Sequence, residues 1–208
     1  MGYLDWHQRP GYSADITRHF HPEARLLDVG CGSAWLAEDF ADYTGVDSSP
    51  EAVAAATAVG RRVLQANVED GLPFDDASFD GIVLKDVLEH VADPFSLVHD
   101  VRRVIKPGGA VFASSPDAQR WVWDDYTHRR PFTRRGYCLL FSDACFVVER
   151  SGYESVMPGT GVVANWTRSK RRPAPLRLLA WLPVVRRNVW LLARRPQVST
   201  QTSDASRS

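Results

Sequence analysis

From residue 25 to residue 115 the chain alternates short apolar runs with segments of helical spacing, and this limits the fold more than any other feature. Arg25–Val29, Thr44–Asp47, Arg61–Asn67, Phe79–Leu84 and Ala110–Ser114 read as strands. Between them, Ala34–Tyr43 and Pro94–Ile105 repeat their large apolar residues at three- and four-residue steps, which predicts helices. A third helix is predicted over the alanine-rich stretch 51–59, entered through a Ser49 cap and Pro50. Strands that alternate with helices build a parallel sheet with helices on both faces. The predicted class is therefore α/β and doubly wound.

The first of these strands ends in LLDVGCGSA at 26–34. Gly30 and Gly32 permit backbone angles and close approach that a side chain forbids. In an open parallel sheet, ligands bind beyond the carboxyl ends of the strands, where strand order reverses. No lysine follows the glycines, so the turn is not a P-loop. Asp28 at the strand end repels a pyrophosphate and suits a cation such as an amino acid's ammonium group. Asp47 closes the second strand 17 residues after Gly30, placed to accept from both hydroxyls of a ribose. Asn67 closes the third, with the Val68 amide beside it, placed for an adenine edge. Ribose, adenine and an amino-acid end without phosphate describe S-adenosylmethionine. Cys31 and Ser48, next to these residues, complete the predicted cofactor-binding set.

LLDVGCGSA, GVDSSP, ANVEDGLPFDDASFDGIV, DVLEHVADP and VIKPGGAVFASSP, in that order, resemble the motifs of class I S-adenosylmethionine-dependent methyltransferases. The resemblance is greatest to the type-11 group that includes the ubiquinone and menaquinone methyltransferases, and it covers about residues 20–150. It implies a Rossmann-like, mostly parallel seven-stranded sheet with an antiparallel last hairpin, here expected in strands near 146–150 and 154–163. It also implies that Gly30 and Gly32 form the cofactor turn, with Asp28 before it and Asp47 on the ribose. Asn67 stands where the family usually has Asp, and Ala34 where it has a third glycine. Lys85, after the fourth strand, meets the cofactor carboxylate or faces solvent.

Methyl transfer from a sulfonium is an in-line displacement with a good neutral leaving group, so the protein must mainly align the acceptor and exclude water. The segment RWVWDDYTHRRPFT at 120–133 follows the fifth strand. Its Trp121, Trp123, Tyr126 and Phe132 are expected to form a stacking surface, with Trp6 and His7 as part of a lid. His128 is the candidate general base for a hydroxyl acceptor, because imidazole titrates near neutral pH; the alternative is that it only shapes the loop. Asp86, Glu89 and His90, read as one helical turn, allow a divalent metal with His128 as a later ligand. The preferred reading there is structural, and no metal is assigned.

The expected domain covers 1–168, followed by basic amphipathic helices at 169–195, split by Pro183, and a disordered tail at 196–208. Residues 155–203 carry nine Lys/Arg and no acid, which marks a surface-binding segment. For 176–195 the alternatives are a lid over a greasy substrate, a dimer contact or a peripheral membrane contact. Three scattered cysteines suit a reducing compartment and neither a disulfide framework nor a zinc site. No signal sequence or 18-residue apolar run is visible, so the expected location is cytoplasmic. The expected partner is a small or lipid-like acceptor, most simply an oxygen, and not a nucleic acid. A cofactor-binding scaffold without methyl transfer is the alternative.

Overall fold

Seven strands form one sheet: β1 (Leu26–Val29), β2 (Tyr43–Asp47), β3 (Val63–Gln65), β4 (Phe79–Lys85), β5 (Ile105–Pro116), β6 (Val147–Val156) and β7 (Arg186–Arg194). Their order is β3-β2-β1-β4-β5-β7-β6. The computed structural model describes residues 16–156 and 186–197. The first five strands are mutually parallel, and β7 runs antiparallel to both β5 and β6. The chain leaves β1 toward β2 and β3, then returns to place β4 on β1's other side. That reversal opens a crevice at the carboxyl ends of β1 and β4.

The helices start where the sequence places their caps. In α1 (Pro50–Ala58) the Ser49 hydroxyl accepts from the Ala52 amide, and proline takes the first turn. In α2 (Pro94–Val104) the Asp93 carboxylate accepts from the Phe95 and Ser96 amides. In α3 (Arg134–Asp143) the Thr133 hydroxyl accepts from the Gly136 amide. Such caps each contribute about 1 kcal/mol by satisfying donors that have no partner within the helix.

The two faces of the sheet bury different sets. Leu27, Val29, Ile82, Leu84, Val111, Ala113, Val189 and Leu191 pack with Val98 and Val101 of α2 and Tyr137 and Phe141 of α3. On the other face Leu26, Tyr43, Val83 and Phe112 pack with Ile16, Leu36, Phe40 and Ala56. Each fully buried leucine or valine contributes about 1.5–3 kcal/mol, so the double-sided burial carries the fold.

Three local expectations are corrected. The helix predicted over 34–43 is a 3-10 turn at Trp35–Glu38. Tyr43 pairs with Leu26 in the sheet, and Ala34 enters the turn in the left-handed region at φ 55°, so no helix of ten residues fits between. The helical reading of the C-terminal segment fails at Arg186–Arg194, which is β7, inserted between β5 and β6. Val189, Leu191 and Ala193 are buried on one face and Asn188 and Leu192 on the other. A strand buried on both faces shows no clean alternation, so an apolar run cannot be told from a helix by spacing alone. Arg194 pairs with Glu149 at 2.6 Å, and Arg195 donates to the carbonyls of Arg102, Arg103 and Ile105, so these arginines serve the fold. The domain therefore does not end at 168. The last hairpin joins β6 to β7, not to a strand beginning at 154; residues 1–15, 157–185 and 198–208 lie outside the described residues.

Candidate active site

The turn after β1 is shaped by Gly30 and Gly32, both at positive φ, 68° and 52°. A Cβ on Gly30 would lie 2.5 Å from a methyl of Val87, so the position requires glycine on both counts. The Gly30 and Cys31 amides donate to the Val46 carbonyl at 2.8 and 3.1 Å. The Gly32 amide donates to Asp47 Oδ2 at 2.8 Å, and the Ser49 amide to Asp47 Oδ1 at 2.9 Å. Asp47 is 2% exposed, and its two carboxylate oxygens accept from amides of both flanking turns. Asp28 is buried and accepts from the Tyr43 hydroxyl at 2.9 Å. Burial raises its pKa to about 7, against the opposing pull of Tyr43 and Lys85. Asn67 Oδ1 accepts from the Glu69 amide at 3.1 Å and caps a short 3-10 turn that Val68 begins. Ser48 is exposed beside Asp47. The predicted cofactor residues thus stand at the ends of three neighbouring strands.

A second group gathers at the ends of β4, β5 and β7. Asp86, just past β4, lies at φ 54°, a region few residues other than glycine adopt. Its Oδ2 is 2.6 Å from the Lys85 ammonium, and its Oδ1 accepts from the Asn188 amide at 3.5 Å. Asp86–His90 is a bend followed by a turn, not the helical turn expected. The Glu89 carbonyl accepts from the Arg129 and Arg130 amides at 2.7 and 3.1 Å. Those two bonds draw the 117–133 segment over the turn and set His128 beside His90, ring centroids 4.7 Å apart.

Glu89 is fully buried, and neither of its carboxylate oxygens has a hydrogen-bond partner of accepted geometry. Burial, then the charge of Asp86, pushes its pKa well above the ordinary value, while the nearby Ser115 hydroxyl pulls the other way. Ligand atoms of Glu89, His90 and His128 all lie within 4.8 Å of one another. The His128 Nδ1 is 2.6 Å from the Val122 carbonyl. A carbonyl only accepts, so Nδ1 carries a proton, and in the neutral ring Nε2 would hold the lone pair. His90 Nδ1 faces the Thr127 hydroxyl at 3.1 Å. Burial and the neighbouring His128 lower the pKa of His90, which favours its neutral form. Two imidazoles and a carboxyl group are a donor set that, once deprotonated, suits a divalent transition metal.

The expected stacking surface does not assemble. Phe132 belongs to the core beside Tyr137, Trp121 bonds to Gln119, and Trp123 and Tyr126 are 58% and 95% exposed. Trp6 and His7 lie outside the described residues. Sequence reasoning missed Asn188, whose strand was read as helix, and undervalued Glu89. An acid flanked by Val87, Leu88 and Val91 was the available signal for Glu89.

Comparison with known proteins accords with this geometry. The methyltransferase-domain family Methyltransf_11 matches residues 27–113. A ubiquinone biosynthesis O-methyltransferase of Alkalilimnicola ehrlichii is 42% identical over 101 residues, 44% of this chain and 41% of that protein. The chain thus spans about two fifths of the length of that curated relative. Among solved structures, a SAM-dependent methyltransferase from Archaeoglobus fulgidus superposes with a TM-score of 0.67 at 17% identity, covering 93% of this chain and 100% of that one. The cyclase SpnF superposes with a TM-score of 0.66 at 20% identity, covering 88% and 80%. At these identities the structural likeness shows the fold alone. Glycine turn, Asp47, strand order and family match converge: residues 27–113 match a methyltransferase-domain family, and the chain is similar there to class I S-adenosylmethionine-dependent methyltransferases of the type-11 group.

Proposed function

We propose that this chain transfers a methyl group from S-adenosylmethionine to a hydroxyl of a small or lipid-like acceptor. The cofactor supplies a methyl on a positively charged sulfur, which leaves as a neutral thioether. In this reading Gly30, Cys31 and Gly32 shape the surface for its amino-acid end, with Asp28 beneath. Asp47 and Ser48 receive the ribose, and Asn67 with the Val68 amide borders the adenine. The acceptor lies at the Glu89–His90–His128 group, and the protein's task is alignment and exclusion of water.

Hydroxyl activation has two routes through the same atoms. His128, with its lone pair on Nε2, takes the acceptor proton as general base. Alternatively Glu89, His90 and His128 hold a divalent cation, which would lower the pKa of a bound hydroxyl. One observation favours the second: Glu89 is buried, and neither of its oxygens has a hydrogen bond of accepted geometry. A buried carboxylate in that state is costly unless it is neutral or ligates a metal.

The test is label transfer from methyl-labelled S-adenosylmethionine to a series of phenolic, catecholic and prenylated hydroxyl compounds, with and without EDTA. Transfer that EDTA abolishes and Mn²⁺ restores supports the cation route, and EDTA-insensitive transfer supports His128 as base. Tight cofactor binding with no label transfer overturns the proposal in favour of a scaffold or of another reaction.

A further inference from the structure

Lys85 stands between the two halves of the site. Register pairs Val29 of β1 with Leu84 of β4, so Lys85 is level with Gly30, the first residue of the glycine turn. Asp28 pairs with Val83, and two residues on, Lys85 shares the sheet face of Asp28. The ammonium is 2.6 Å from Asp86 Oδ2, and the Lys85 side chain is 25% exposed. Its charge also acts on Asp28 beneath the turn and on Glu89 at the acceptor end. One lysine therefore faces acids of both halves. A cation approaching Glu89 meets Lys85 as a like charge, and a carboxylate arriving at the glycine turn meets it as a counter-ion.

Resting on the proposed reading of the two halves, we infer that Lys85 couples them as an exchangeable counter-ion. Before cofactor binds, its ammonium neutralises Asp86. When the carboxylate of the cofactor's amino-acid end lies at the glycine turn, the ammonium turns to it. Asp86 then keeps only the Asn188 amide and presents its charge beside Glu89. Cofactor binding thereby strengthens binding of a divalent cation, and by linkage the cation strengthens cofactor binding by the same factor.

The experiment is calorimetric titration of the full chain with Mn²⁺, with and without saturating S-adenosylhomocysteine, and the reciprocal titration. The expected result is Mn²⁺ affinity about tenfold tighter with S-adenosylhomocysteine present, within the usual range of such couplings. Lys85→Gln binds Mn²⁺ more tightly alone, binds S-adenosylhomocysteine more weakly, and shows no coupling. Lys85→Arg retains the charge and the coupling, which separates loss of charge from loss of fold. Mn²⁺ binding that S-adenosylhomocysteine leaves unchanged, or coupling of undiminished size in Lys85→Gln, overturns the inference and leaves the cation reading intact. Absence of Mn²⁺ binding to the wild-type chain under both conditions overturns the cation reading and this inference with it.

Discussion

The amide of Gly32 donates to Asp47 Oδ2 at 2.8 Å, so the carboxylate that ends β2 also holds the turn that ends β1. The residue proposed to receive the ribose is thus part of the frame that shapes the neighbouring turn. Asp47→Ala is expected to weaken S-adenosylhomocysteine binding at least tenfold, about 1.4 kcal/mol, and to lower the melting midpoint. Asp47→Asn keeps one acceptor oxygen and is expected to lose less on both measures. Calorimetry with thermal melts checks this, and unchanged affinity in the alanine variant removes Asp47 from the site.

Gly30→Ala meets two penalties, a left-handed φ of 68° and a Cβ 2.5 Å from Val87 Cγ2. The expected loss is about 1–3 kcal/mol in urea unfolding. Adding Val87→Ala relieves the contact and not the backbone strain, so recovery is expected to be partial. Full recovery would assign the whole penalty to crowding.

Asp28 gives a pH dependence of definite sign. Its pKa is raised from 3.8 to about 7 in the folded chain, chiefly by burial. The native state therefore binds the proton more tightly than the unfolded chain. The contribution to stability is full below pH 3.8 and is lost as pH rises through about 7. Glu89 shifts the same way, so the comparison must be between the wild type and Asp28→Asn. At pH 8 the variant is expected to be the more stable by on the order of 1–4 kcal/mol, the advantage vanishing near pH 4. An equal difference at both pH values would show that Asp28 does not titrate in this range.

Replacing Glu89 with methionine removes a buried carboxyl whose oxygens have no hydrogen bond of accepted geometry. Without added metal the variant is expected to gain about 1–3 kcal/mol at neutral pH. It is also expected to lose any stabilisation by Mn²⁺ and to transfer no label. A variant that is less stable than the wild type without metal would mean that the carboxyl is satisfied in solution.

Truncation tests the last strand. β7 lies between β5 and β6 and buries Val189, Leu191 and Ala193 completely. A chain ending at 185 is expected to lose its cooperative melt, whereas one ending at 197 keeps it. A cooperative melt in the shorter chain would place β7 outside the folding unit.

The β1-to-β5 frame was legible because each element carries its own local signal. Ser49 caps its helix as expected, and the Asp47, Asn67 and glycine-turn residues fall at or just past strand ends. The type-11 motifs, being short and contiguous, needed no tertiary information to be seen. By contrast, the 3-10 turn at Trp35–Glu38 depends on Tyr43 being claimed by the sheet. Likewise β7 depends on a slot between β5 and β6, and burial on both faces erases the period that would announce a strand.

The amino-acid order alone determined the alternating architecture, the glycine turn and the acid that follows it, since those rest on backbone preference and spacing within a few residues. Only the tertiary structure decided that Glu89 is sealed from solvent beside His90 and His128, and that Asn188 reaches Asp86 across 102 residues of chain. The reason is physical: burial and charge proximity are properties of neighbours in space, and the Arg129 and Arg130 amides that close this group over Glu89 act on a residue some 40 positions away.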